Sequence, residues 1–593
     1  MKRREALCQF GHSQANSGQE RRDKQDVEID PLLQRVYQNR NISDPDDVTY
    51  SLSKLYPPKL LKGIDEATCL LVEAIKSDAS IVIVGDYDTD GATATTLAML
   101  GLSALGSNQV QYLVPNRFEF GYGLSEKIAN LALQLEPNLL ITVDNGISSI
   151  DGVALLKEKG VKTIITDHHL AGKQLPEADA IVNPNQPLCE FPSKALAGVG
   201  VMFYLLLSVR TKLRKEGWFF DKRIAEPNLA DYLDLVALGT VADMVPLDAN
   251  NRVLVAQGIA RIRAGKCRFG IIALLEVANR NYRNLSSSDF GFVIGPRLNA
   301  AGRLDDISTG IDCLLASSHQ EARDYAQVLN EINIERRRIE KVMQEQAFEI
   351  VRTLQIGSET LEADVDRTAG YCLYDPTWHQ GVTGLVASRV KDQTSQPTIA
   401  FAPTEGGLLT GSARTIAGLH IRDLIEAIAE QSPNLVVKFG GHAMAAGLTI
   451  EEANLNEFKR QFYGAVVEGF SSVELDFSVK SDGEISASEL SLDYADLLKN
   501  AAPWGQGFPA PVFDGVFKVL EQRVVGGQHI KFVVKGKDGG IYDAIAFKSV
   551  ELGNEPGKFD FLNMAYQLDV NEFRGHRSLQ LIIESFEPTA SVN

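Results

Sequence analysis

The stretch Ser80-Ile-Val-Ile-Val-Gly-Asp-Tyr-Asp-Thr-Asp-Gly91 decides how the rest of the chain is read. Ile81 to Val84 have the length and composition of a short strand buried on both faces. They run directly into three carboxylates at alternate positions, Asp86, Asp88 and Asp90. Like charges this close repel, and each pushes its neighbours toward protonation unless a cation neutralises them. Oxygen ligands of this kind suit hard divalent ions. The pattern Asp-x-Asp-x-Asp-Gly also opens an EF-hand loop. That loop follows a helix, however, and needs a bidentate Glu at its twelfth position, where this chain has Leu97. A solvated acidic turn is the other reading, and the test is whether further ligands occur at equivalent places.

They do. A second apolar run, Asn138-Leu-Leu-Ile-Thr-Val, ends in Asp144-Asn145-Gly146, and a third, Val161-Lys-Thr-Ile-Ile-Thr, ends in Asp167-His168-His169. Helix-favouring stretches near Ser125 to Leu135 and Ser148 to Lys159 separate them. Strands alternating with helices imply right-handed crossovers and a parallel sheet, so the three acidic ends share one edge. Open α/β sheets keep their sites at that edge. A fourth candidate, Asp243, follows the apolar run Leu235-Val-Ala-Leu-Gly-Thr-Val-Ala and precedes Met-Val-Pro-Leu.

Asp-Tyr-Asp-Thr-Asp-Gly, Val-Asp-Asn-Gly, Asp-His-His and Val-Ala-Asp-Met-Val-Pro-Leu, in this order, resemble the motifs of the DHH phosphoesterase superfamily. With the later segments described below, the chain is similar to the superfamily's bacterial single-strand-specific exonucleases from about Asp30 onward. The resemblance implies metal-assisted hydrolysis of phosphodiesters by two divalent ions, Mn²⁺ or Mg²⁺. Asp144 is expected to be shared by both ions, with Asp88, His168 and Asp243 completing one site and Asp86 anchoring the more exposed one. His169 is expected to contact the scissile phosphate, and Asp90 and Asp167 to stand behind the ligands and orient them.

At 593 residues the chain is too long for one core. Its six cysteines form no Cys-x-x-Cys pair, which suggests neither a zinc knuckle nor a disulfide framework and fits a reducing cytoplasm. No apolar stretch is long enough to span a membrane, and Met1-Lys-Arg-Arg-Glu opens no signal peptide; residues 1–28 read as a loosely ordered extension. A net charge of −18 is unusual for a nucleic-acid enzyme. Binding depends on local basic surface rather than on net charge, so a positive track in a negative molecule is expected.

After the first motif the chain reads as helix from Gly91 to Leu105 and as strand at Val110-Gln-Tyr-Leu-Val-Pro, which leads into Asn116-Arg117-Phe-Glu-Phe-Gly-Tyr122-Gly. The resemblance implies that Arg117 contacts phosphate and that Tyr122 stacks on a base. Ala180-Ile-Val-Asn-Pro reads as an edge strand, and apolar helices follow at Ala197 to Glu216, Leu229 to Asp243, Arg252 to Arg263 and Ile271 to Ala278. In Gly295-Pro-Arg297-Leu-Asn299-Ala-Ala-Gly-Arg303-Leu, small residues allow close approach, and Arg297 and Arg303 carry fork-shaped donors suited to phosphate. The family match favours DNA contact by this segment over a capped helix with solvent-facing arginines. Ser317 to about Leu354 is polar and helix-favouring, long enough at 1.5 Å per residue to span roughly 55 Å, and reads as a strut between domains. The basic cluster in Glu335-Arg-Arg-Arg-Ile-Glu-Lys reads as a solvated face.

A second α/β unit begins near Ala369, with polar chemistry in Ser412-Ala-Arg414-Thr and Phe439-Gly-Gly441-His442-Ala-Met-Ala-Ala-Gly. As a set these segments resemble the DHHA1 domain, which makes Ser412, Arg414, Gly441 and His442 candidate binders of a 5′-terminal phosphate. About five β-type runs between Val516 and Ile583 fit an OB-type barrel that could hold single-stranded DNA. Pro503-Trp-Gly-Gln-Gly-Phe-Pro-Ala-Pro-Val-Phe513 before it resembles the linker of this exonuclease branch, though Gly507-Phe508 departs from the Gly-Asn expected there.

The expected architecture is therefore α/β: a parallel-sheet DHH domain (29–316), a connecting helix (317–355), a smaller α/β DHHA1 domain (366–470) and a C-terminal OB-type β-barrel (471–593). The resemblance implies a monomeric, processive 5′→3′ exonuclease of single-stranded DNA in recombination and repair, with a groove between the two α/β units too narrow for duplex. Single-strand-binding protein and a RecQ-type helicase are the implied protein partners. Two alternatives remain: a phosphodiesterase of the superfamily acting on short oligonucleotides, which needs no barrel, and a non-catalytic DNA-binding replication scaffold, which needs no intact ligands.

Overall fold

The computed structural model describes residues 1–4, 29–115, 120, 123–358, 369–470, 478–550, 557–573 and 575–589. Residues 1–299, 307–327 and 478–593 belong to one compact unit and residues 300–306 and 328–477 to a second.

The first unit is built on a five-stranded sheet in the order β3-β2-β4-β5-β6, with β2 Ile81–Gly85, β3 Val110–Leu113, β4 Leu139–Val143, β5 Lys162–Thr166 and β6 Ala180–Val182. Every neighbouring pair is parallel, with Ile83 beside Tyr112 and Ile141, and Ile141 beside Ile164. β2 and β4 are buried throughout, which explains why they read as unbroken apolar runs rather than alternating ones. On one side the helices Thr89–Ala104, Gly198–Lys215 and Leu233–Ala242 pack together. Their buried faces are rich in Gly, Ala and Thr: a Cβ at Gly101 would meet Leu206 Cδ1 at 2.5 Å, and a Cβ at Gly258 on the next helix, Ala249–Arg263, would overlap the Leu233 carbonyl oxygen, so these helices approach as closely as backbone allows. On the other side, Ile128, Ala129, Ala132, Val153 and Leu156 from the crossover helices close over Val82, Val84, Leu140 and Ile165.

The same unit contains a closed five-stranded barrel, β13-β14-β15-β17-β16, formed by β13 Phe513–Val525, β14 His529–Lys535, β15 Ile541–Ala546, β16 Phe561–Phe573 and β17 His576–Pro588. β15 and β17 pair parallel and all other pairs are antiparallel, as an OB-type barrel requires. Phe513, Phe532, Leu562, Met564 and Tyr566 are buried in it.

A 40-residue helix, His319–Ser358, carries the chain from the first unit into the second, about 60 Å of continuous helix. Its basic cluster is not wholly a solvated face. Arg338 pairs with Glu335 at the surface, but Arg336 is buried, donating to Glu340 at 2.6 Å and to Asn333 at 3.0 Å, while Arg389 donates to the other Glu340 oxygen at 3.0 Å. Arg336, two residues before Arg338, meets a protein neighbour instead of water, which a linear charge run does not reveal. The second unit has the strand order β10-β11-β9-β8-β7, from β7 Tyr371–Tyr374, β8 Thr398–Thr404, β9 Leu408–Arg414, β10 Lys438–Gly441 and β11 Ala445–Glu451. Only β7 and β8 are parallel. Phe401, Phe458, Phe462, Ile421 and Ile425 fill one core and Trp378, Val386, Leu373 and Met343 the other.

The first residues correct the expectation of a loose extension. β1 Lys2–Arg3 pairs parallel with β12 Lys480–Ser481, and Arg4 Nη1 donates to Asp482 at 2.8 Å. Residues 5–28 lie outside the described residues. Asp482, with its side chain fully buried, also accepts from Asn39 Nδ2 at 3.0 Å, from Arg40 at 2.9 and 3.0 Å, and from the Val512 amide at 3.0 Å. Burial alone would raise its pKa, but the hydrogen bonds from Arg40 and the charges of Arg40 and Arg4 outweigh that and hold it below the ordinary carboxylate value.

A carboxylate depressed in this way stabilises the fold above its unfolded pKa near ~3.9, and that contribution is lost as pH falls through the lower folded value. Asp482→Asn should therefore cost about 3 kcal/mol at pH 7, because it strands the buried Arg40 charge. The difference from wild type should shrink toward pH 3, which urea unfolding at the two pH values checks.

Candidate metal centre

The parallel sheet delivers its acidic residues to one edge, as its topology demands. Asp86 follows β2, Asp144 follows β4, and Asp167 with His168 and His169 follows β5. Asp144 leaves its strand in the left-handed region, φ +62°, a conformation rare outside glycine that turns the carboxylate across the strand ends. Asp88 caps the helix Thr89–Ala104, its Oδ1 accepting from the Gly91 amide at 3.0 Å. Asp243 ends the helix Leu233–Ala242.

These groups converge. Ligand atoms of Asp86, Asp88 and Asp144 lie within 4.8 Å of one another, as do those of Asp144, His168 and His169 and those of Asp90, His168 and Asp243. His168 Nε2 stands 3.1 Å from Asp144 Oδ1 and 3.5 Å from Asp243 Oδ2, which places the imidazole between two carboxylates at opposite ends of the cluster.

The electrostatics are those of a site that needs cations. Burial pushes the Asp144 carboxyl well above its ordinary value, and the charges of Asp90, Asp88, Asp243 and Asp86 push it further. Asp243 is raised by burial and by Asp90 and Asp88. Asp90, fully buried, is raised to about 7 by burial and by Asp88, against the opposing amides of Val199 and Gly198. A carboxylate cluster under this strain fits divalent ions, which remove the repulsion and use every oxygen as a ligand.

Asp90 and Asp167 are each anchored by backbone amides. Asp90 accepts from the Gly198 and Val199 amides at 2.7 and 3.0 Å, the first turn of the helix Gly198–Lys215, where backbone dipoles favour negative charge. Asp167 accepts from the Ile147 amide at 2.9 Å, from the His168 and His169 amides at 2.7 and 3.1 Å, and contacts His169 Nδ1 at 2.8 Å. Burial would lower the His169 pKa, but the hydrogen bond and charge of Asp167, with the charges of Asp86 and Asp243, raise it to about 9. The contact with Asp167 occupies Nδ1 and favours the protonated ring.

Three family models match the chain: "DHH family, N-terminal domain" over residues 80–240, "DHHA1 domain" over 367–468 and "RecJ OB domain" over 481–585. The chain is 50% identical over 563 residues to the single-stranded-DNA-specific exonuclease RecJ of Salmonella typhimurium, covering 95% of this chain and 96% of that protein. It is 51% identical over 561 residues to the same exonuclease of Haemophilus influenzae, covering 94% and 96%. The chain belongs to the RecJ family. Among solved structures it is similar to RecJ from Thermus thermophilus in complex with Mn²⁺, with a TM-score of 0.75 at 28% identity over 95% of this chain and 76% of that one. The Mg²⁺ complex of the same RecJ matches with a TM-score of 0.70 at 26% identity over 95% of this chain and 75% of that one.

Several residues that build this RecJ-family centre escaped the sequence reading. A Cβ at Gly198 would sit 2.5 Å from Asp144 Oδ1, and one at Gly239 would sit 2.7 Å from Asp90 Oδ1 and overlap Thr93 Oγ1. Glycine at these two helix positions is what lets the carboxylates occupy the space. Asn183 and Asn185 donate to the carbonyls of His169 and His168 at 2.9 and 2.6 Å, fixing the backbone of the histidine pair. The only cue was the run Val-Asn-Pro-Asn after an edge strand, which reads as an ordinary turn.

The remaining candidates divide. Arg117 and Tyr122 lie outside the described residues. Arg297 is 8% exposed, and its Nη1 donates to the Val293 carbonyl at 2.7 Å. Asn299 Oδ1 accepts from both the amide and hydroxyl of Thr89 at 2.8 Å, bracing the loop that carries Asp88. Arg303 Nη1 donates to the Gly381 carbonyl at 3.1 Å. In the second unit, Ser412 and Arg414 share one face of β9, and Ser412 Oγ lies 3.0 Å from Thr383 Oγ1 at the start of the helix Thr383–Thr394. A Cβ at Gly384 would lie 2.9 Å from Arg414 Nη2, so this glycine seats the guanidinium against the helix N-terminus, an arrangement suited to an anion. Gly441, at φ +141°, turns the β10–β11 hairpin beside the exposed His442, whose amide donates to the Ala445 carbonyl at 2.8 Å.

Gly198→Ala should lower Mn²⁺ affinity by about 10- to 100-fold, the scale of losing a ligand's support, while helix content is unchanged. Isothermal titration with Mn²⁺ and far-UV circular dichroism on the same sample check both parts.

Proposed function

We propose that the protein is a two-metal-dependent exonuclease that hydrolyses single-stranded DNA from its 5′ end. The observation that carries this reading is the shared position of Asp144: its ligand atoms belong both to the Asp86–Asp88 group and to the His168 group, the arrangement needed to hold two ions side by side. The solved RecJ relatives bind Mn²⁺ and Mg²⁺, and the oxygen-dominated ligand set here suits the same ions. Asp88, His168, Asp243 and Asp144 are assigned to one ion and Asp86 with Asp144 to the other. Bound ions supply Lewis acidity, making water acidic and offsetting the charge that builds on the phosphoryl oxygens.

The chain's own residues do the rest. Asp144, bent across the strand ends by its positive φ, holds the two halves of the site in register. Asp90, held by the first-turn amides of Gly198–Lys215, fixes that helix against the ligand cluster. His169, oriented by the contact of its Nδ1 with Asp167, donates from Nε2 to a non-bridging oxygen of the scissile phosphate and stabilises it as charge develops. Ser412, Arg414, His442 and the N-terminus of Thr383–Thr394 hold the 5′-terminal phosphate. The OB-type barrel holds the strand on its way to the site. The domain limits assigned are 29–316, 366–470 and 471–593, consistent with the matched spans. Among the described residues no helix is long and apolar enough to cross a membrane.

Digestion of 5′- and 3′-labelled single strands with Mn²⁺, Mg²⁺ or chelator tests metal dependence and polarity together. Release of 5′-terminal nucleotides with either metal and none with chelator is expected; comparable rates on blunt duplex would contradict the single-strand reading. Asp88→Ala should reduce hydrolysis to background while DNA binding, followed by fluorescence anisotropy, persists. Arg414→Ala should raise KM for 5′-phosphorylated strands by about 10-fold or more, the scale of a charged hydrogen bond, with a smaller effect on 5′-hydroxyl strands.

A further inference from the structure

The segment Trp504–Phe508, which leads from the helix Leu492–Ala501 to the barrel, packs directly on the loop that presents Asp243. After Asp243 the chain turns sharply through Met244, at φ +59° and with a largely exposed side chain, and its next firm attachments are at Pro246 and Leu247. Helix Ala249–Arg263 supplies part of that attachment: Asn251 Nδ2 donates to the Pro246 carbonyl at 3.0 Å and Arg252 Nη1 to the Leu247 carbonyl at 3.0 Å. The linker supplies the remainder. The Leu247 amide donates to the Gln506 carbonyl at 2.7 Å. A Cβ at Gly505 would lie 2.7 Å from Leu247 Cδ1, and one at Gly507, whose φ is +70°, would lie 3.2 Å from Pro246 Cβ. Two glycines therefore bring linker backbone against the loop where a side chain would hold it away.

The linker is itself held firmly. Phe508 stacks on Trp504, with centroids 5.1 Å apart and planes 13° apart, and Trp504 Nε1 donates to the Leu498 carbonyl at 2.7 Å. Ser287 Oγ donates to the Trp504 carbonyl at 2.5 Å, and Arg40 lies over the indole at 5.2 Å. Arg252 joins the two layers: its guanidinium sits 4.4 Å from the Phe508 ring centroid while it grips the Leu247 carbonyl. Phe508 is thus the residue through which the linker reaches the clamp on the Asp243 loop, and it stands where the sequence resemblance led to Asn.

We propose that the linker preceding the barrel is a positioning element for the metal ligand Asp243, acting through Gln506, Gly507 and Phe508 on Pro246, Leu247 and Arg252. This rests on reading Asp243 as a metal ligand. The test uses the full-length chain, with Gly507→Val, Phe508→Ala and the conservative Phe508→Tyr beside Asp243→Asn as reference. Mn²⁺ binding without DNA is measured by titration calorimetry and by electron paramagnetic resonance of free Mn²⁺. Gly507→Val and Phe508→Ala should weaken Mn²⁺ binding about 10-fold and raise the half-activating Mn²⁺ concentration by the same factor, with KM for single-stranded DNA at saturating Mn²⁺ unchanged. Phe508→Tyr, which keeps the ring under Arg252, should match wild type. Unchanged Mn²⁺ affinity in both linker variants, beside weakened binding in Asp243→Asn, overturns the proposal. Unchanged binding in Asp243→Asn refutes the ligand assignment instead. If Gly507→Val loses its cooperative thermal transition, Gly505→Ala, whose methyl meets only the end of the flexible Leu247 side chain, replaces it with an expected weakening of about 3-fold.

Discussion

Repulsion among carboxylates is the constraint around which the first unit is built. The crowded charges of Asp86, Asp88, Asp90 and Asp243 help raise the pKa values of Asp90, Asp144 and Asp243, and Asp86, Asp90 and Asp144 are almost completely buried. No apolar core tolerates this unaided. The fold answers with directed polar groups: the amides of Gly198 and Val199 on Asp90, the Gly91 amide on Asp88, the His168 ring beside Asp144 and Asp243, and His169 held by Asp167. Divalent ions complete the neutralisation, so the forces that shape the scaffold are the ones that make it a catalyst once loaded.

Parallel topology makes this possible economically. Because β2, β4 and β5 all point the same way, one sheet edge collects ligands from segments 58 and 23 residues apart in sequence, Asp86 to Asp144 and Asp144 to Asp167. Small residues then matter more than large ones. Gly198 and Gly239 are buried helix glycines whose use is space for a neighbouring carboxylate, and Gly384 performs the same service for Arg414 in the second unit. In each case a methyl group would fall where a polar atom must be.

The barrel shares the first unit with the catalytic sheet, joined by a linker whose aromatic residues stack on Tyr37 and under Arg252. The N-terminal residues reinforce that side through Arg4 and Arg40 on Asp482. What reads along the chain as two separate domains, the parallel-sheet domain and the barrel, is in this unit a set of segments more than 400 residues apart held by a buried ion pair and ring contacts.

Local sequence was enough to specify the parallel sheet, the long helix, the OB-type barrel and the acidic edge, because strand length, hydrophobic period and charge spacing are properties of neighbouring residues. It was also enough to single out Asp86, Asp88, Asp144, His168, His169 and Asp243, whose motifs stand at strand or helix ends. It did not reveal that Arg297 and Arg336 turn inward, that Asn299 braces Thr89, or that Gly198, Gly239, Asn183 and Asn185 shape the centre. Those roles depend on which atom of a distant segment comes within about 3 Å. Only the folded chain sets that distance, because packing and not spacing decides what each glycine or arginine meets.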